Sequence, residues 1–288
     1  MKKILITGKD SYIGTSFEAW VRQWPDRYEV ETIDLRANSW REQSFSSYDV
    51  IYHLAAIVHV KEVAAENYFK VNRDLAFEVA KKARQDGVSH FIFLSTMGVY
   101  GIERGRITAD TRASPKTPYA KSKYEAEMLL GGLVDDAFKV AILRPPLVYG
   151  NNCPGNYDRL ISFALKLPFF PNTNNERSMI FVDNLSEFVR LVIDHRVGGL
   201  LFPQNREYVN VAELIGLVAQ LHHKKVKKTK ILNAGVHLGM LFSETFRKVF
   251  GTFVYDKGMS GGPGALLEGA HLKYSTCEFA ESIARTVQ

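Results

Sequence analysis

The sequence is poor in cysteine and has no long apolar run. Cys153 and Cys277 are the two cysteines among 288 residues, too few for a disulfide framework or a metal cluster. No run of about 18 apolar residues occurs, so a membrane-spanning helix is not expected. Near the start, Ile4 to Ile6 is too short to be the core of a secretory signal. Reduced thiols and a cytoplasmic location are therefore expected.

A strong excess of one charge is also missing. The 37 Lys and Arg residues stand against 31 Asp and Glu residues, and no basic element carries the interleaved aromatic residues of a nucleic-acid site. A basic run does occur from His222 to Lys230. Such a run is usually a solvated face, and contact with an anionic bilayer is the alternative. Neither nucleic acid nor a membrane is an expected partner.

Short apolar runs alternate with helical patterns through the first half of the chain. The predicted strands are 4–6, 28–35, 50–54, 91–94 and 139–143, and the predicted helices include 12–24, 62–86 and 118–133. This alternation predicts an α/β fold, a doubly wound parallel (Rossmann) sheet covered on both faces. Looser sequence follows, with helices near 184–195 and 211–222. We expect one domain over 1–150 and a smaller C-terminal lobe over 151–288, some segments of which return to the first domain.

A glycine-containing turn joins the first strand to the first helix. Gly8 allows a tight turn, Gly14 allows the helix to lie close to the sheet, and the helix N-terminus directs amides at a pyrophosphate. Ser11 stands where a third glycine is typical, and its hydroxyl can itself bond a phosphate oxygen. A plain strand-to-helix turn is the alternative. The candidate dinucleotide-binding residues are Gly8, Asp10, Ser11, Tyr12, Ile13 and Gly14.

An acidic residue follows the second predicted strand. Asp34 lies about 20 residues after Gly14, where a carboxylate bonds ribose hydroxyls and repels a 2′-phosphate. This position favours NAD. Arg36 could instead pair with the 2′-phosphate of NADP, so NADP stays possible. Leu35 belongs to the same candidate segment.

Tyr119 and Lys123 are spaced to share one face of a helix that begins near Pro118. A free tyrosine has a pKa of about 10, but a neighbouring ammonium favours its phenolate. Such a pair can move a proton on a substrate oxygen while a nicotinamide moves hydride at the same carbon. Thr96, after the fourth strand, can hydrogen-bond that oxygen. The alternative for Tyr119 and Lys123 is an exposed amphipathic pair without function. The alternative for Thr96 is an ordinary turn residue.

Five motifs occur in an order that resembles the extended short-chain dehydrogenases/reductases. They are Thr7 to Gly14, His53-Leu54-Ala55-Ala56, Ser95 to Gly101, Tyr119 to Lys123 and Leu143-Arg144-Pro145. More narrowly, they resemble the NAD-dependent epimerase/dehydratase family, which acts on nucleotide sugars. The resemblance implies an NAD-dependent oxidoreductase with Tyr119 as acid/base, Lys123 as ribose-binding cation and Thr96 as their hydrogen-bonding partner.

Further contacts are implied by the same resemblance. The first domain would bind NAD and the second lobe the nucleotide-sugar substrate. Arg177 would hold the nucleotide diphosphate, which suits a guanidinium, although an isolated arginine is more commonly a surface residue. Asp183 is expected to cap the following helix. A homodimer through residues 62–86 and 118–133 is also implied. The implied cofactor contacts are Leu54, Ala55, Ala56, Tyr119, Lys123 and Pro146, and the implied substrate contacts are Thr96, Met97, Tyr119, Asn156 and Arg177.

The residues after Thr96 bear on the reaction. Dehydratases that this chain resembles carry Asp-Glu there, whereas Met97 and Gly98 cannot transfer protons. Epimerisation, or reduction of a keto sugar, is therefore favoured over elimination. Leu147 stands where epimerases usually present an Asn, and the surrounding run is more similar to 4-keto-sugar reductases and epimerases of bacterial polysaccharide synthesis. A dehydrogenase of a non-sugar alcohol and a non-catalytic NAD(P) sensor are competing hypotheses. No metal is expected, since this chemistry requires none.

Overall fold

A parallel β-sheet forms the centre of the protein. The computed structural model describes residues 1–58, 63–155, 157, 160–162, 165–259 and 273–287. In chain order the strands are β1 (Lys2–Thr7), β2 (Tyr28–Ile33), β3 (Val50–His53), β4 (His90–Leu94), β5 (Gly105–Ile107), β6 (Lys139–Leu143), β7 (Leu147–Tyr149), β8 (Phe169–Pro171), β9 (Met179–Phe181), β10 (Gly199–Leu201), β11 (Lys227–Thr229) and β12 (Phe253–Tyr255). Six of them pair in the order β2-β1-β3-β4-β6-β10, all in parallel.

Helices connect these strands. They are α1 (Tyr12–Val21), α2 (Ala65–Tyr68), α3 (Ala76–Gln85), α4 (Pro118–Gly131), α5 (Val182–Asp194), α6 (Val211–Leu221), α7 (Asn233–Phe242), α8 (Glu244–Phe250) and α9 (Phe279–Val287). A π-helical segment, Phe69–Leu75, joins α2 to α3. The helix predicted over 62–86 therefore starts at Ala65 and is irregular in its middle, and residues 59–62 lie outside the described part. No helix in the described ranges is long and apolar enough to cross a bilayer.

On the far side of β1 the sheet ends with β2. Residues 34–49 lead directly to β3 and contain one 3₁₀-helix, Asn38–Arg41, instead of a further strand. Numbered along the chain, the six strands of the sheet follow the order 2-1-3-4-5-6, which differs from the Rossmann order 3-2-1-4-5-6 in lacking a strand outside β2. Both orders place ligands at the carboxyl edge of the sheet where the direction of winding reverses, which here is between β1 and β3. The structure thus refines the predicted Rossmann sheet.

Successive side chains of each strand enter two different cores. Ile4 and Ile6 of β1 pack in one core with Phe17 of α1 and Phe188 of α5. Leu5 packs in the other, to which α3 and α4 contribute. Because side chains alternate along a strand, this arrangement requires apolar residues at consecutive positions, as the sequence has. The predicted α/β sheet covered on both faces is confirmed.

A third core lies in the C-terminal part. It joins Tyr149, Phe181, Leu214 and Ile283 from β7, β9, α6 and α9. Other C-terminal segments return to the first half of the chain, since β10 pairs with β6 and α5 packs on α1. The domain boundary at residue 150 stays a prediction.

The predicted role of Asp183 is wrong. Phe181 is the N-cap of α5 and makes no side-chain cap. Asp183 lies within the first turn, where its carboxylate pairs with Arg285 of α9 at 3.5 Å. A carboxylate in a first turn still complements the helix dipole, so Asp183 stabilises α5 without capping it.

Two histidines are buried within the sheet. His53 Nδ1 lies 2.9 Å from Thr7 Oγ1, and His90 Nε2 lies 2.9 Å from the carbonyl oxygen of Val197. Burial lowers the pKa of His53 to about 3 and the pKa of His90 to about 4. Both rings are therefore neutral at pH 7.

The free energy of unfolding should fall as the pH drops below the ordinary histidine pKa of 6.5, because the unfolded chain then binds protons that the native rings do not. Each histidine should contribute a loss of about 1.4 kcal/mol per pH unit until its native pKa is reached. The measurement is urea unfolding at several pH values. The free energy of unfolding of His90→Gln should depend less steeply on pH than that of the wild type. The exposed control His222→Gln should show the same pH dependence as the wild type. Equal slopes in all three proteins would contradict this expectation.

Candidate active site

The turn after β1 packs tightly against the residues that follow β3. Gly8 has a φ of 92°, and a Cβ added there would lie 2.8 Å from the backbone nitrogen of Ala55. A Cβ added to Gly14 would lie 2.6 Å from Ser11 Oγ and 3.2 Å from Leu54 Cδ1. Gly8 therefore requires glycine, and at Gly14 the missing side chain lets α1 lie close to Leu54 after β3, as the sequence predicts.

The N-terminus of α1 carries an unsatisfied hydroxyl. Ser11 is the N-cap residue but makes no side-chain cap, and its buried Oγ has no hydrogen-bond partner among the described residues. Asp10 precedes it with a φ of 62°, and Tyr12 and Ile13 begin the helix. A buried hydroxyl beside free helix amides suits an anionic oxygen, so this end of α1 fits a pyrophosphate.

The segment after β3 is fixed by side chains on both sides. Thr7 Oγ1 accepts hydrogen bonds from the backbone nitrogens of Leu54 at 3.2 Å and Ala55 at 3.4 Å. Asn72, in the π-helical segment, accepts from Ile57 N at 2.7 Å and donates to Ile57 O at 3.0 Å. Residues 54–57, including Ala56, thus form a fixed wall beside the turn at Gly8.

Asp34 is bound by the arginine two residues further on. Its carboxylate accepts hydrogen bonds from Arg36 N at 2.9 Å and Arg36 Nε at 2.8 Å. These bonds lower the pKa of Asp34 to about 2. Asp34 is therefore ionised at neutral pH, and Arg36 already has an anionic partner. The side chain of Leu35 is buried in the core with α3.

The end of β4 and the first turns of α4 bring the three predicted catalytic residues together. Thr117 caps α4 by accepting a hydrogen bond from Ala120 N at 3.2 Å. Lys123 Nζ donates to the carbonyl oxygen of Leu94, at the end of β4, at 2.8 Å. One turn earlier, a hydrogen bond joins the side chains of Tyr119 and Thr96. The described geometry therefore places Thr96, Tyr119 and Lys123 at the carboxyl end of β4.

Burial controls the protonation of this group. Desolvation raises the pKa of Tyr119 to about 12 in spite of the bond to Thr96, and desolvation lowers the pKa of Lys123 to about 7. The lowering of the Tyr119 pKa by Lys123 stays a prediction, because desolvation of Tyr119 is the larger effect in this arrangement. Lys123 Nζ is directed at the carbonyl oxygen of Leu94 and lies 4.6 Å from the ring centroid of Phe93. Tyr119 is therefore protonated at neutral pH.

A buried ion pair joins α4 to the end of β6. Arg144, directly after β6, donates from Nε to Glu127 Oε1 at 3.0 Å, and both side chains are less than a tenth exposed. Glu127 also accepts a hydrogen bond from the Ser95 hydroxyl, and Arg144 Nη1 donates to the Tyr100 hydroxyl at 3.0 Å. The negative charge of Glu127 raises the pKa of Lys123 and so opposes its desolvation. The pair therefore connects β6 and the loop after β4 to the helix that carries Tyr119.

Arg177 is a desolvated cation. Its Nη1 donates to the carbonyl oxygen of Gly251 at 3.1 Å, and its guanidinium lies 5.7 Å from the ring centroid of Phe253. Burial lowers the pKa of Arg177 to about 10, and no carboxylate of the described residues forms an ion pair with it. A half-buried guanidinium without a counter-charge is suited to receive an anion.

The remaining predicted ligand contacts are less defined. Met97 is 4% exposed and packs with Tyr100 and Tyr255. Pro146 is buried after β6, and Asn156 lies outside the described residues. Across the described ranges, no group of three or more His, Cys, Asp or Glu side chains could hold a metal ion. The ligand contacts of Met97, Pro146 and Asn156 stay predictions.

Comparison with known proteins decides the family. The sequence model of the NAD dependent epimerase/dehydratase family matches residues 4–212. The chain belongs to this family. The matched range of this epimerase/dehydratase chain includes the turn at Gly8, the Tyr119 and Lys123 pair, and Arg177.

Relatives of known name support the assignment. The UDP-glucose 4-epimerase of Vibrio cholerae is 32% identical over 223 residues, 67% of each chain. The N-acetyl-alpha-D-glucosaminyl-diphospho-ditrans,octacis-undecaprenol 4-epimerase of Escherichia coli O157:H7 is 27% identical over 216 residues, 72% of this chain and 64% of that protein. The UDP-glucuronic acid 4-epimerase from Bacillus cereus, solved in complex with NAD, superposes with a TM-score of 0.72 at 19% identity, over 99% of this chain and 97% of that one.

These findings confirm the predicted family, enzyme class and fold. Membership of the epimerase/dehydratase family confirms an NAD-dependent enzyme of the extended short-chain dehydrogenase/reductase type. The structural likeness confirms the fold. The roles of individual site residues, the homodimer and the cytoplasmic location stay predictions.

Two residues that contact the candidate site of this epimerase/dehydratase chain were not found from the sequence. Glu127 follows Lys123 by one helical turn, as Lys123 follows Tyr119, and this repeated spacing is a signal that all three share one face. Asn72 gave a weaker signal, since a single Asn within a helical pattern is most often a solvated surface residue. Its partners, Ile57 and Ser122, are distant in the sequence.

Glu127→Gln should be strongly destabilising, because it leaves the charge of Arg144 buried without a counter-charge. We expect a loss of about 3 to 5 kcal/mol in the free energy of unfolding, measured by urea denaturation. The control is Glu125→Gln on the same helix, which breaks a more exposed pair with Arg73 and should cost less than about 1 kcal/mol. Similar losses in the two variants would contradict a special role for the buried pair.

Proposed function

We propose that this protein inverts one carbon of a diphosphate-linked sugar by removing and returning a hydride, with Tyr119 as the proton carrier. The observation that carries the proposal is the cluster of Thr96, Tyr119 and Lys123 at the carboxyl end of β4. A doubly wound sheet binds its ligands at this edge. The three relatives named above are all 4-epimerases, which makes C4 of the sugar the proposed site of reaction.

The turn from Gly8 to Gly14 and the wall at Leu54 and Ala55 are the proposed cofactor site. A nicotinamide held there supplies reversible hydride transfer. Ser11 Oγ and the amides of α1 would bind the pyrophosphate, and Asp34 would bind ribose hydroxyls. The ionised carboxylate of Asp34 disfavours a 2′-phosphate, which supports NAD. NADP is the alternative, and it would require Arg36 to exchange Asp34 for the phosphate.

Proton transfer would use the protonation states described above. Tyr119, protonated at neutral pH, would donate its proton to the oxygen of a keto sugar during reduction, while the Thr96 hydroxyl holds the same oxygen. Oxidation of the alcohol requires the Tyr119 phenolate instead. An ammonium at Lys123 favours that phenolate. With its pKa near 7, Lys123 changes charge in the pH range where the enzyme would work.

Substrate binding would use Arg177. A diphosphate supplies the counter-charge that this half-buried guanidinium lacks, and charge-assisted hydrogen bonds are stronger than neutral ones. This residue favours a diphosphate-linked sugar over a non-sugar alcohol. The retained cluster at Tyr119 favours an enzyme over an NAD(P) sensor, because a sensor requires only the cofactor site.

Elimination of water is not part of the proposal. Dehydration requires an acid and a base at the sugar, and neither the Met97 side chain nor Gly98 can transfer a proton. Glu127, the acidic residue next along the α4 face, is held by Arg144 and Ser95. Net reduction uses the same groups as epimerisation and differs in whether the cofactor is exchanged in each turnover.

Tyr119→Phe should lower kcat at least about a hundredfold while leaving NAD affinity nearly unchanged, because it removes only the transferable proton. The assay follows conversion of UDP-glucose without added cofactor, with NAD binding measured by calorimetry. Tyr124→Phe, on the same helix, is the control and should keep wild-type kcat. Wild-type turnover in Tyr119→Phe would disprove the mechanism. Oxidation of added NADH or NADPH by a UDP-4-keto sugar, with no conversion of UDP-glucose, would assign a reductase instead.

Arg177→Met should weaken UDP binding at least about tenfold, because one charge-assisted contact to the diphosphate is lost. Calorimetric titration with UDP measures this change, and NAD affinity should stay the same. The exposed Arg112→Met is the control for loss of one positive charge. Equal UDP affinity in wild type and Arg177→Met would remove Arg177 from the proposed substrate site.

A further inference from the structure

Most of the net charge of the protein lies in one short stretch. Residues 214–243 contain no Asp or Glu, and their five lysines supply five of the six net positive charges of the chain. All five lysines are exposed. They are Lys224, Lys225, Lys227, Lys228 and Lys230. The rest of the protein is therefore close to neutral.

An uncharged helix with exposed apolar side chains follows these lysines. On α7, Leu238, Leu241 and Phe242 are 59%, 69% and 83% exposed, and Ile231 just before the helix is 88% exposed. Single exposed apolar residues are ordinary, but several on one short helix indicate an interaction site. We refer to residues 224–242, the lysines and the exposed face of α7, as the docking surface.

α7 is held in place by α8. A Cβ added to Gly239 would lie 2.5 Å from the ring of Phe246, so the two helices are in close contact. α8 in turn packs on the body of the protein, where the ring centroids of Phe250 and Phe170 are 5.8 Å apart. The apolar face of α7 is therefore presented by an anchored pair of helices and cannot turn inward without losing these contacts.

We propose that the docking surface binds the anionic surface of a lipid bilayer. The lysines would pair with lipid phosphates, and Leu238, Leu241 and Phe242 would enter the boundary between headgroups and acyl chains. The occupant follows from charge, because the five lysines are the only Lys, Arg, Asp or Glu residues of this surface and no carboxylate in it could pair with a cationic partner. A solvated basic run, which the sequence alone favours, gives no reason for the apolar face beside it.

The docking surface is directly linked to the proposed substrate site. α8 ends at Phe250, and the carbonyl oxygen of the next residue, Gly251, accepts the hydrogen bond from Arg177. Docking would therefore act on the same part of the molecule as the proposed diphosphate-binding arginine. This consequence rests on the proposed function, whereas docking itself does not.

Co-sedimentation with vesicles tests the proposal on the whole chain. Binding to vesicles of phosphatidylcholine with phosphatidylglycerol should be clear, and it should be lost with phosphatidylcholine alone and reduced by salt. Replacing Lys225, Lys227 and Lys230 by Gln should lower the partition coefficient at least about tenfold. Leu241→Gln with Phe242→Gln should have a similar effect.

The control variants carry the same kinds of substitution at exposed positions outside the docking surface. Replacing the exposed Lys116, Lys139 and Lys273 by Gln removes the same charge, and Val134→Gln with Leu200→Gln removes exposed apolar side chains outside the docking surface. Both controls should bind vesicles like the wild type. Absence of binding to phosphatidylglycerol vesicles, or equal losses in controls and docking variants, would overturn the proposal.

A second copy of the chain is the competing occupant. If Leu241→Gln with Phe242→Gln converts a dimer into a monomer in light scattering, the apolar face is a subunit interface and the proposal is wrong. Vesicle binding is measured without substrate, and UDP affinity is measured without vesicles. Failure of docking therefore leaves the proposed function intact, and failure of UDP binding leaves docking intact.

Discussion

The buried pair of Glu127 and Arg144 is the interaction on which the site depends. It crosses from α4 to the end of β6 and, through Ser95, reaches the end of β4. A buried pair adds little net stability, but loss of one partner leaves an unpaired buried charge. The orientation of α4 is therefore fixed by a contact that tolerates little displacement. Because Tyr119 lies two turns before Glu127 on that helix, the position of the proton carrier at the sheet edge follows from this pair.

The same burial that fixes the site also sets its protonation. A phenol and an ammonium in one desolvated place both lose their charged forms, which raises the pKa of Tyr119 and lowers the pKa of Lys123. Attraction between the two charges favours the opposite shifts, and in this structure desolvation is the larger effect. The negative charge of Glu127 moderates it for Lys123. A reversible hydride exchange requires both the phenol and the phenolate of Tyr119. A pair in which desolvation and charge attraction oppose each other therefore suits the proposed reaction.

The central sheet could be predicted from sequence because β1, β3, β4 and β6 contain uninterrupted apolar runs, which are typical of a sheet covered on both faces. The turn at Gly8 and Gly14 could be predicted because these positions leave no space for a side chain. The absence of a strand between β2 and β3 could also be predicted, whereas β10 could not, because a strand of three residues is too short to show a pattern. The pKa of Tyr119 could not be predicted either, because helical spacing gives a distance and says nothing about desolvation.

In the C-terminal part, the sequence predicts secondary structure less well than it does for the central sheet. Its alternation is weak because β7, β8, β9, β11 and β12 have three residues each, too few to show a period. Its charge is informative, however, because proximity in sequence keeps the five lysines near one another in almost any fold. The fold adds two observations: α7, which follows the lysines in the chain, exposes an apolar face, and Arg177 donates a hydrogen bond to the carbonyl oxygen of Gly251. The proposed docking surface is thereby connected through α8 and Gly251 to the proposed substrate site.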